Sequence, residues 1–570
     1  KLLEWMTSEE AEKQAKNDVI SYIKQMWLNI ALGILSLGFA LTNKGFGDFI
    51  IQTILGVLWT ITPFIMWYIS KEKKEVKAVE TLDKTEIDYV LEIGRKTWQF
   101  FKQYITKENN YLMPDNYQED RKQKIVERTS STNIGLSILA IVSSYDLQYE
   151  TLTDTMDVLY KVITSVDSLQ KWNGHLYNWY DTKTKEPLRP RYISTVDSGN
   201  FVGYLYVTKA FLEEVEETLQ TYDNLKFEQS IGYKQNRVEY ETVSEGNTLS
   251  KEQRNEIIET KRKIDITNEE EKVKMQNQIQ EMLEIIERMI DQTDFTYLYS
   301  QEHQIFSIGY NIEENKLTDS YYDLLATEAR QASLVAIAKK DIPSKHWNHL
   351  SRTLTVLGKY KGLISWSGTA FEYLMPNINI PKYKGSLLDE SCKFMIMSQM
   401  KYAEEMHLPF GVSESAFNLK DLQSNYQYKA FGIPWLGLKR GLADEMVVSS
   451  YGSILAITDI PKEVVKNLKV LEQYGMYNKY GFYESIDFTP ERVRKGKKAE
   501  VVKTYMAHHQ GLILLSINNL INQLILQKRF TKNPEIQAVT ILLQETMPEK
   551  AIITKEDKEK VEKLKYKDYE

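Results

Sequence analysis

Two long apolar runs lie near the start of the chain. Residues 26–42 and 49–70 hold no ionised side chain, and the turn-like NKGFGD separates them. A membrane-spanning helix needs ~20 predominantly apolar residues, so the second run is long enough and the first sits near the lower limit. Lys13, Lys16 and Lys24 precede the pair, while Lys71, Lys73, Lys74 and Lys77 follow it. Basic flanks at both outer ends predict a hairpin with both ends on the cytoplasmic side. The competing reading, two buried helices of a soluble fold, is helped by Asn29, Gln52 and Pro63. From about residue 84 the pattern changes to amphipathic helix, as in Ile87, Val90, Leu91, Ile93, Trp98 and Phe101. Long connections rich in Gly, Pro and aromatic residues separate these helical stretches, and nothing resembles βαβ alternation. The pattern predicts an all-α toroid whose loops build a site on one face.

Residues 214–293 stand apart. They are crowded with charge and poor in Gly and Pro, and Met275, Ile279, Met282, Ile286 and Met289 form one apolar stripe. We read them as a charged helical hairpin inserted into the toroid, with a partner-binding coiled coil as the alternative. Residues 549–570 read as a charged linker or tail. The expected domains are therefore 1–80, holding the apolar hairpin, then 81–548, the toroid, and 549–570.

Composition narrows the function. The 570 residues carry 72 Lys+Arg and 79 Asp+Glu, for a net charge of −7, so nucleic acid is not an expected partner. At 42% hydrophobic and 26% charged residues the chain is neither disordered nor a polytopic membrane protein. One cysteine, Cys392, excludes an internal disulfide framework and fits a reducing compartment. The chain opens at Lys1 without a secretory signal pattern, and we expect it to be a piece of a longer polypeptide. Aromatic residues are abundant, with 36 Tyr, 19 Phe and 10 Trp, a supply that suits sugar faces as well as a large core.

Several chemistries fall away. No phosphate loop, dinucleotide fingerprint, HExxH pair or Gly-x-Ser-x-Gly elbow is present, and no metal or cofactor is expected. What remains is a set of carboxylates in aromatic loops: Asp115, Asp197, Glu328, Glu372, Glu414, Glu484 and Asp487. Two carboxyls flanking a glycosidic bond are the usual equipment for acid–base chemistry on sugars. Each carboxylate also has a structural reading as a cap, a salt bridge or a hydroxyl acceptor. On residues alone the chain reads as a glycan-active all-α domain.

Ten strings then occur in order: PDNYQ, RTSSTNIG, GHLYNWYD, STVDSGN, YYDLLATEARQAS, SWSGTAFEYLMP, GVSESAFN, YQYKAFGIPWLGLKRGLADE, GFYESIDFT and TYMAHHQG. Together, over residues 97–548, they resemble the glucoamylase-like cyclisation domain of bacterial cyclic β-1,2-glucan synthases. Thr327 and Ala370 stand where that family is expected to have Ser and Met. The resemblance implies an (α/α)6 toroid that closes linear β-1,2-glucan into a ring by intramolecular, anomer-retaining transglycosylation. It implies Glu328 as general acid/base and Glu414 as nucleophile, with the roles exchangeable and Asp197, Glu372 or Asp487 as replacements for Glu414. Substrate contacts are expected from Asp115, Asn116, Gln118, Arg128, Trp172, His175, Trp179, Asp197, Arg330, Trp366, Glu372, Tyr373, Tyr426, Lys439, Glu484, Asp487, His508, His509 and Gln510. Trp435 joins Trp172, Trp179, Trp366 and Tyr373 as an expected ring platform. The implied partners are the linear glucan and, in the same polypeptide, an upstream glycosyltransferase and a downstream phosphorylase-like domain. The implied location is the inner membrane, with the catalytic domain on its cytoplasmic side. The rival functions are an inverting endo-β-1,2-glucanase and a non-catalytic glycan-binding module.

Overall fold

The computed structural model describes residues 18–42, 45–69, 78–222, 269–358 and 360–546. The chain divides into two compact units, Lys1–Val76 and Lys77–Glu570.

The first unit holds α1 (Val19–Gln25), α2 (Trp27–Thr42) and α3 (Phe46–Ile69). Asp18 caps α1 by accepting from the Ser21 amide at 2.8 Å. Helices α2 and α3 approach closely through Gly33 and Gly56. A β-carbon on Gly33 would lie 2.3 Å from Thr60 Oγ1, and one on Gly56 would lie 2.9 Å from Gly33 O. The other faces leave Trp27, Leu35, Phe39, Ile51 and Leu58 exposed. Among the described residues, α3 alone is long and apolar enough to cross a membrane. The pair α1 and α2 passes the same test together, bent by 71°.

The second unit is a double ring of helices. Its inner members are α5 (Ser131–Asp146), α7 (Thr195–Tyr222), α9 (Arg330–Ala338), α11 (Ala370–Leu374), α13 (Ser450–Ile454) and α15 (Ala507–Ile521). These helices have no polar stripe: α9, α11 and α13 are buried at every position, and α5 at all but one. A helix apolar or small all round belongs between other elements, not at a surface. The interleaved helices α4 (Lys84–Tyr104), α6 (Leu152–Asp167), α8 (Glu269–Gln292), α12 (Leu387–Met406) and α14 (Pro461–Gln473), with short α10 (Lys345–His349), form the outer layer. Helices α4, α6, α8 and α14 each bury one face and show a charged one. Near the C-terminal end, α16 (Ile525–Lys532) and α17 (Pro534–Val539) complete the unit. The all-α (α/α)6 class expected from the sequence holds.

Small residues let the inner helices meet. A β-carbon on Gly199 of α7 would lie 2.2 Å from that of Ala332 on α9, and one on Gly135 of α5 would lie 2.5 Å from the Tyr204 ring on α7. Short antiparallel strands lead into several inner helices. The strand Thr504–Met506, before α15, pairs with Asn116–Gln118, and Arg128–Thr129, before α5, pairs with Tyr180–Asp181. The Thr132 amide of α5 donates to Asp197 on α7 at 3.4 Å, so two inner-helix N-termini meet at one mouth.

The apolar stripe of residues 275–289 is not solvated. Met275, Ile279, Met282, Ile286 and Met289 are buried in the main core on α8. The stretch read as an inserted hairpin thus supplies, at residues 214–222 and 269–292, the end of an inner helix and the whole of an outer one. Residues 223–268 and the tail 549–570 lie outside the described residues.

One buried polar cluster ties four helices together. Arg529 on α16 donates to both oxygens of Asp146, at 2.6 and 2.9 Å, and to Glu214 on α7 at 2.9 Å. Asp146 ends α5, and it also accepts from Asn518 on α15 at 2.9 Å. Removing one partner strands a buried charge, which costs about 3–5 kcal/mol. Asp146→Ala should therefore lower the unfolding free energy by that amount, seen as a lower urea midpoint at unchanged slope in the whole chain.

Candidate active site

A cleft of about 640 Å³ is lined by Glu328, Glu372, Glu414, Trp366, Thr327 and Ser367 together with His303, Tyr321, Tyr322 and Asp323. Glu328 stands at the entry of α9, where its carboxylate accepts from the Thr327 hydroxyl at 3.3 Å. Burial, reinforced by the neighbouring charges of Glu372 and Glu414, pushes its pKa up to about 8. Glu414 precedes the strand Ser415–Lys420, whose register pairs Ala416 with Tyr428 and sets Tyr428 beside the carboxylate. The Tyr428 hydroxyl donates to Glu414 at 2.6 Å. Burial lifts Glu414 to about 7, against the pull of that hydrogen bond and of the Lys439 charge.

Glu372 shares the cleft but is tied into its own helix. It forms a capping box with Thr369 at the start of α11 and accepts from Ser365 Oγ at 2.9 Å and Ser367 N at 3.0 Å. Burial raises its pKa while these donors oppose the rise. Trp366 stands at the cleft, half exposed, its indole N–H donating to Asp323 at 2.8 Å. His303 and Tyr321 pack ring against ring at 4.2 Å on the same lining.

Four of the expected residues, Glu328, Glu414, Glu372 and Trp366, line this cleft. A second group lies behind Glu414. His509 is buried and its Nδ1 is 2.7 Å from Glu484, while His508 packs against both His509 and Tyr428. Burial pushes Glu484 up to about 8 and His508 down to about 3.

A third group forms a separate network. Asp115 accepts from Asn116, Asn133 and Arg128, and Gln118 donates to Asn116 at 2.9 Å. Arg128 is exposed and lies 4.0 Å over the Trp179 ring. Burial raises the pKa of Asp197, which accepts from the Thr132 amide.

The remaining expected residues do not line this cleft. Arg330 is 1% exposed, and its guanidinium is spent on the carbonyls of Thr327, Glu372 and Tyr373 and on Asn377. It fastens α9 to α11 and cannot reach a sugar hydroxyl. Tyr373 is buried, with its hydroxyl on Leu363 O at 2.6 Å, so it packs rather than forming a platform. His175 is buried between Ser198 and the Asp294 carbonyl. Asp487 is fully buried and holds Arg492 at 2.6 Å. Gln510 is buried and donates to Phe482 O at 3.0 Å. Trp172 stacks on Tyr310 at 4.5 Å, and Trp435 packs edge-on to Tyr402. Tyr426 lines a different cavity of about 650 Å³, with its hydroxyl on Asp120 at 3.0 Å. Lys439 is half-buried and donates to Ala430 O at 2.9 Å.

Sequence reasoning missed His303, Tyr321, Tyr322 and Asp323 as cleft residues. Three of them, YYD, stand just upstream of Glu328 in the same string, which was the available signal; His303 carried none. Among the described residues, no group of three or more His, Cys, Asp or Glu is arranged to hold a metal ion.

Comparisons with known proteins agree with this architecture. Residues 320–534 match the Glycoamylase family model, a span that contains both Glu328 and Glu414. The chain is 31% identical to cyclic β-(1,2)-glucan synthase NdvB of Rhizobium meliloti, over 96% of its own length and 22% of that protein. It resembles a cyclic β-1,2-glucan synthase. The chain thus spans about a fifth of the relative that it matches. In fold it is similar to endo-β-1,2-glucanase from Chitinophaga pinensis, solved with sophorotriose and glucose, at TM-score 0.58 and 13% identity over 80% of this chain and 98% of that one. It is also similar to endo-β-1,2-glucanase from Talaromyces funiculosus, solved with sophorose, at TM-score 0.55 and 11% identity over 81% and 90%.

The corrected role of Arg330 is testable. Arg330→Lys keeps the charge but cannot present a planar fork to four fixed acceptors. Leaving buried carbonyls unpaired costs about 1–3 kcal/mol each, so the variant should melt well below the wild type, as read by calorimetry.

Proposed function

We propose that this domain acts on β-1,2-glucan and closes the linear chain into a ring by retaining transglycosylation. The observation that carries the reading is the pairing of Glu328 and Glu414 in one cleft, with the proton favoured on one and a donated hydrogen bond on the other. Glu328, whose pKa lies the higher, acts as general acid. It gives its proton to the oxygen leaving C1 as the glycosidic bond breaks. Glu414, supported as the anion by Tyr428 and Lys439, attacks the same carbon and forms the glycosyl-enzyme bond. In the second displacement Glu328, now ionised, takes the proton of a hydroxyl at the chain's own non-reducing end. That oxygen displaces Glu414, and a β bond is remade from a β bond. Ile305, Ile308, Tyr321, Tyr322 and Trp366 on the cleft lining favour a sugar hydroxyl over bulk water as acceptor.

The likeness to a much longer synthase supports further domains in the same polypeptide, the glycosyltransferase upstream and the phosphorylase-like one downstream. Helix α3 and the basic residues flanking the apolar hairpin support an inner-membrane anchor with the toroid on the cytoplasmic side.

Incubation with linear β-1,2-glucan tests the reading. Products resistant to an exo-acting β-glucosidase, with no new reducing ends, are expected. Short reducing oligosaccharides accumulating instead would mean an endo-hydrolase, and no change in the glucan would mean a binding module. Glu328→Gln and Glu414→Gln should each lose about 10²–10⁴-fold in rate, and full activity in both would remove them from the mechanism.

The pH profile is a second test. Glu414 must be ionised and Glu328 protonated, so kcat/KM should fall as pH drops below about 7 and again as it rises above about 8. The two limbs belong to the coupled pair, and Glu328→Gln should erase the alkaline one.

A further inference from the structure

The pair His509 and Glu484 has no place in the two displacements, yet it is buried directly behind the group that attacks. We propose that Tyr428 is a positioning residue for Glu414, and that the His509–Glu484 pair, sharing one proton, fixes the direction in which Tyr428 donates. The proposal rests on Glu414 being the nucleophile.

Proton counting carries the argument. Tyr428 has one hydroxyl proton, and the 2.6 Å contact commits it to Glu414. Its oxygen can then only accept, and Nε2 of His509 faces it at 3.4 Å. That nitrogen must therefore carry a hydrogen. A neutral His509 leaves Nδ1 bare, so the group 2.7 Å away, Glu484 Oε1, must supply the proton between them. Glu484 fits that part. Its Oε2 is buried without a hydrogen-bond partner, a tolerable state for the carbonyl oxygen of a neutral acid and a costly one for a carboxylate. Burial also favours the neutral forms of both residues.

The rings leave little freedom. His509 is stacked between Tyr451, at 3.7 Å, and Tyr428, at 6.0 Å, and Tyr451 in turn donates to the Glu414 carbonyl at 2.7 Å. Other titratable groups act on Glu414: Glu328 at α9, Glu372 on α11, Tyr451 on α13, and Glu484, Tyr322 and Lys439 outside the helices. His508 and Asp115 act on Glu484. Among the described residues, Tyr428 is the one side chain that donates a hydrogen bond to the Glu414 carboxylate, which singles it out for the test.

The experiment measures two quantities across the acid range in the whole chain. One is kcat/KM on linear β-1,2-glucan. The other is carbodiimide labelling of Glu414, which reacts in its protonated form, followed by peptide mass spectrometry. In Tyr428→Phe the acid limb and the labelling midpoint should both move up by about one pH unit, and the rate at neutral pH should fall about tenfold. His509→Phe, which keeps a ring but no N–H, should give a smaller upward shift. His509→Gln, which returns a donor near Nε2, should recover most of it.

A limb and midpoint unmoved in Tyr428→Phe would overturn the proposal. That variant removes a single hydroxyl from a partly exposed ring, so the test does not depend on the His509 variants folding. A moved midpoint in a protein inactive on β-1,2-glucan would keep the relay and reject the substrate. Activity retained with an unmoved midpoint would do the reverse.

Discussion

Two carboxyl groups placed in one cleft of low dielectric cannot both ionise without cost, and much of this site is arranged around that repulsion. Burial alone pushes Glu328 and Glu414 in the same direction, toward the neutral acid. A useful pair needs them pushed apart. The separation comes from their unequal surroundings. Glu328 receives one weak hydroxyl contact from Thr327, whereas Glu414 receives the short bond from Tyr428 and the field of Lys439. The toroid makes this arrangement possible by delivering Glu328, Glu372 and His509 at the entries of three different inner helices. An inner-helix N-terminus also places a partial positive charge near this acidic cluster, which offsets part of the repulsion.

The same geometry explains which features were legible in the sequence. The double ring announces itself in the contrast between helices without a polar stripe, such as α5 and α15, and helices with one, such as α4 and α14. Glu328 and Glu414 were legible only as two of seven loop carboxylates, and the family resemblance, not their neighbours, singled them out. What the linear pattern hides is direction. Arg330 follows Glu328 by two residues and reads as its electrostatic partner, but the first turn of α9 aims it at the carbonyls of α11. HHQG reads as a set of hydroxyl donors, yet His509 and Gln510 face inward from α15 and bond to Glu484 and Phe482. Tyr373 and Asp487 misled for the same reason. A polar group in a rich loop is equally suited to holding the loop, and only the fold decides which.

The stripe of residues 275–289 shows a different failure. Its charge density suggested a solvated insertion, but an outer helix of a toroid needs only one apolar face. Helix α8 has that face and presents its charges to water. High charge therefore marks an outer-layer helix as readily as an insertion. The decisive feature was the four-three spacing of the methionines and isoleucines, which a surface hairpin would not require to be so regular.

Aromatic residues divide by the same logic of layers. Most of the rings counted in the sequence serve packing, as in the cluster of Phe100, Tyr104, Tyr480 and Tyr505 beneath α4 and α15. Those left at the cleft, Trp366, Tyr321 and Tyr322, are few, and Trp366 carries a polar tether to Asp323 that orients it. This sparseness bears on mechanism. In the proposed transglycosylation a glycosyl-enzyme survives until a chain end arrives only if water is poorly held near C1, and ordered water is held by polar groups with free valences. Around Glu414 several of those valences are already taken: Tyr428 by the carboxylate and His509 by Glu484, while Ser413 accepts from the Phe371 amide. The more of the wall's hydrogen bonds are made internally, the less it holds a competing nucleophile. In the proposed reaction the inward-facing polar residues that contact no sugar contribute to choosing the acceptor as well as to holding the nucleophile.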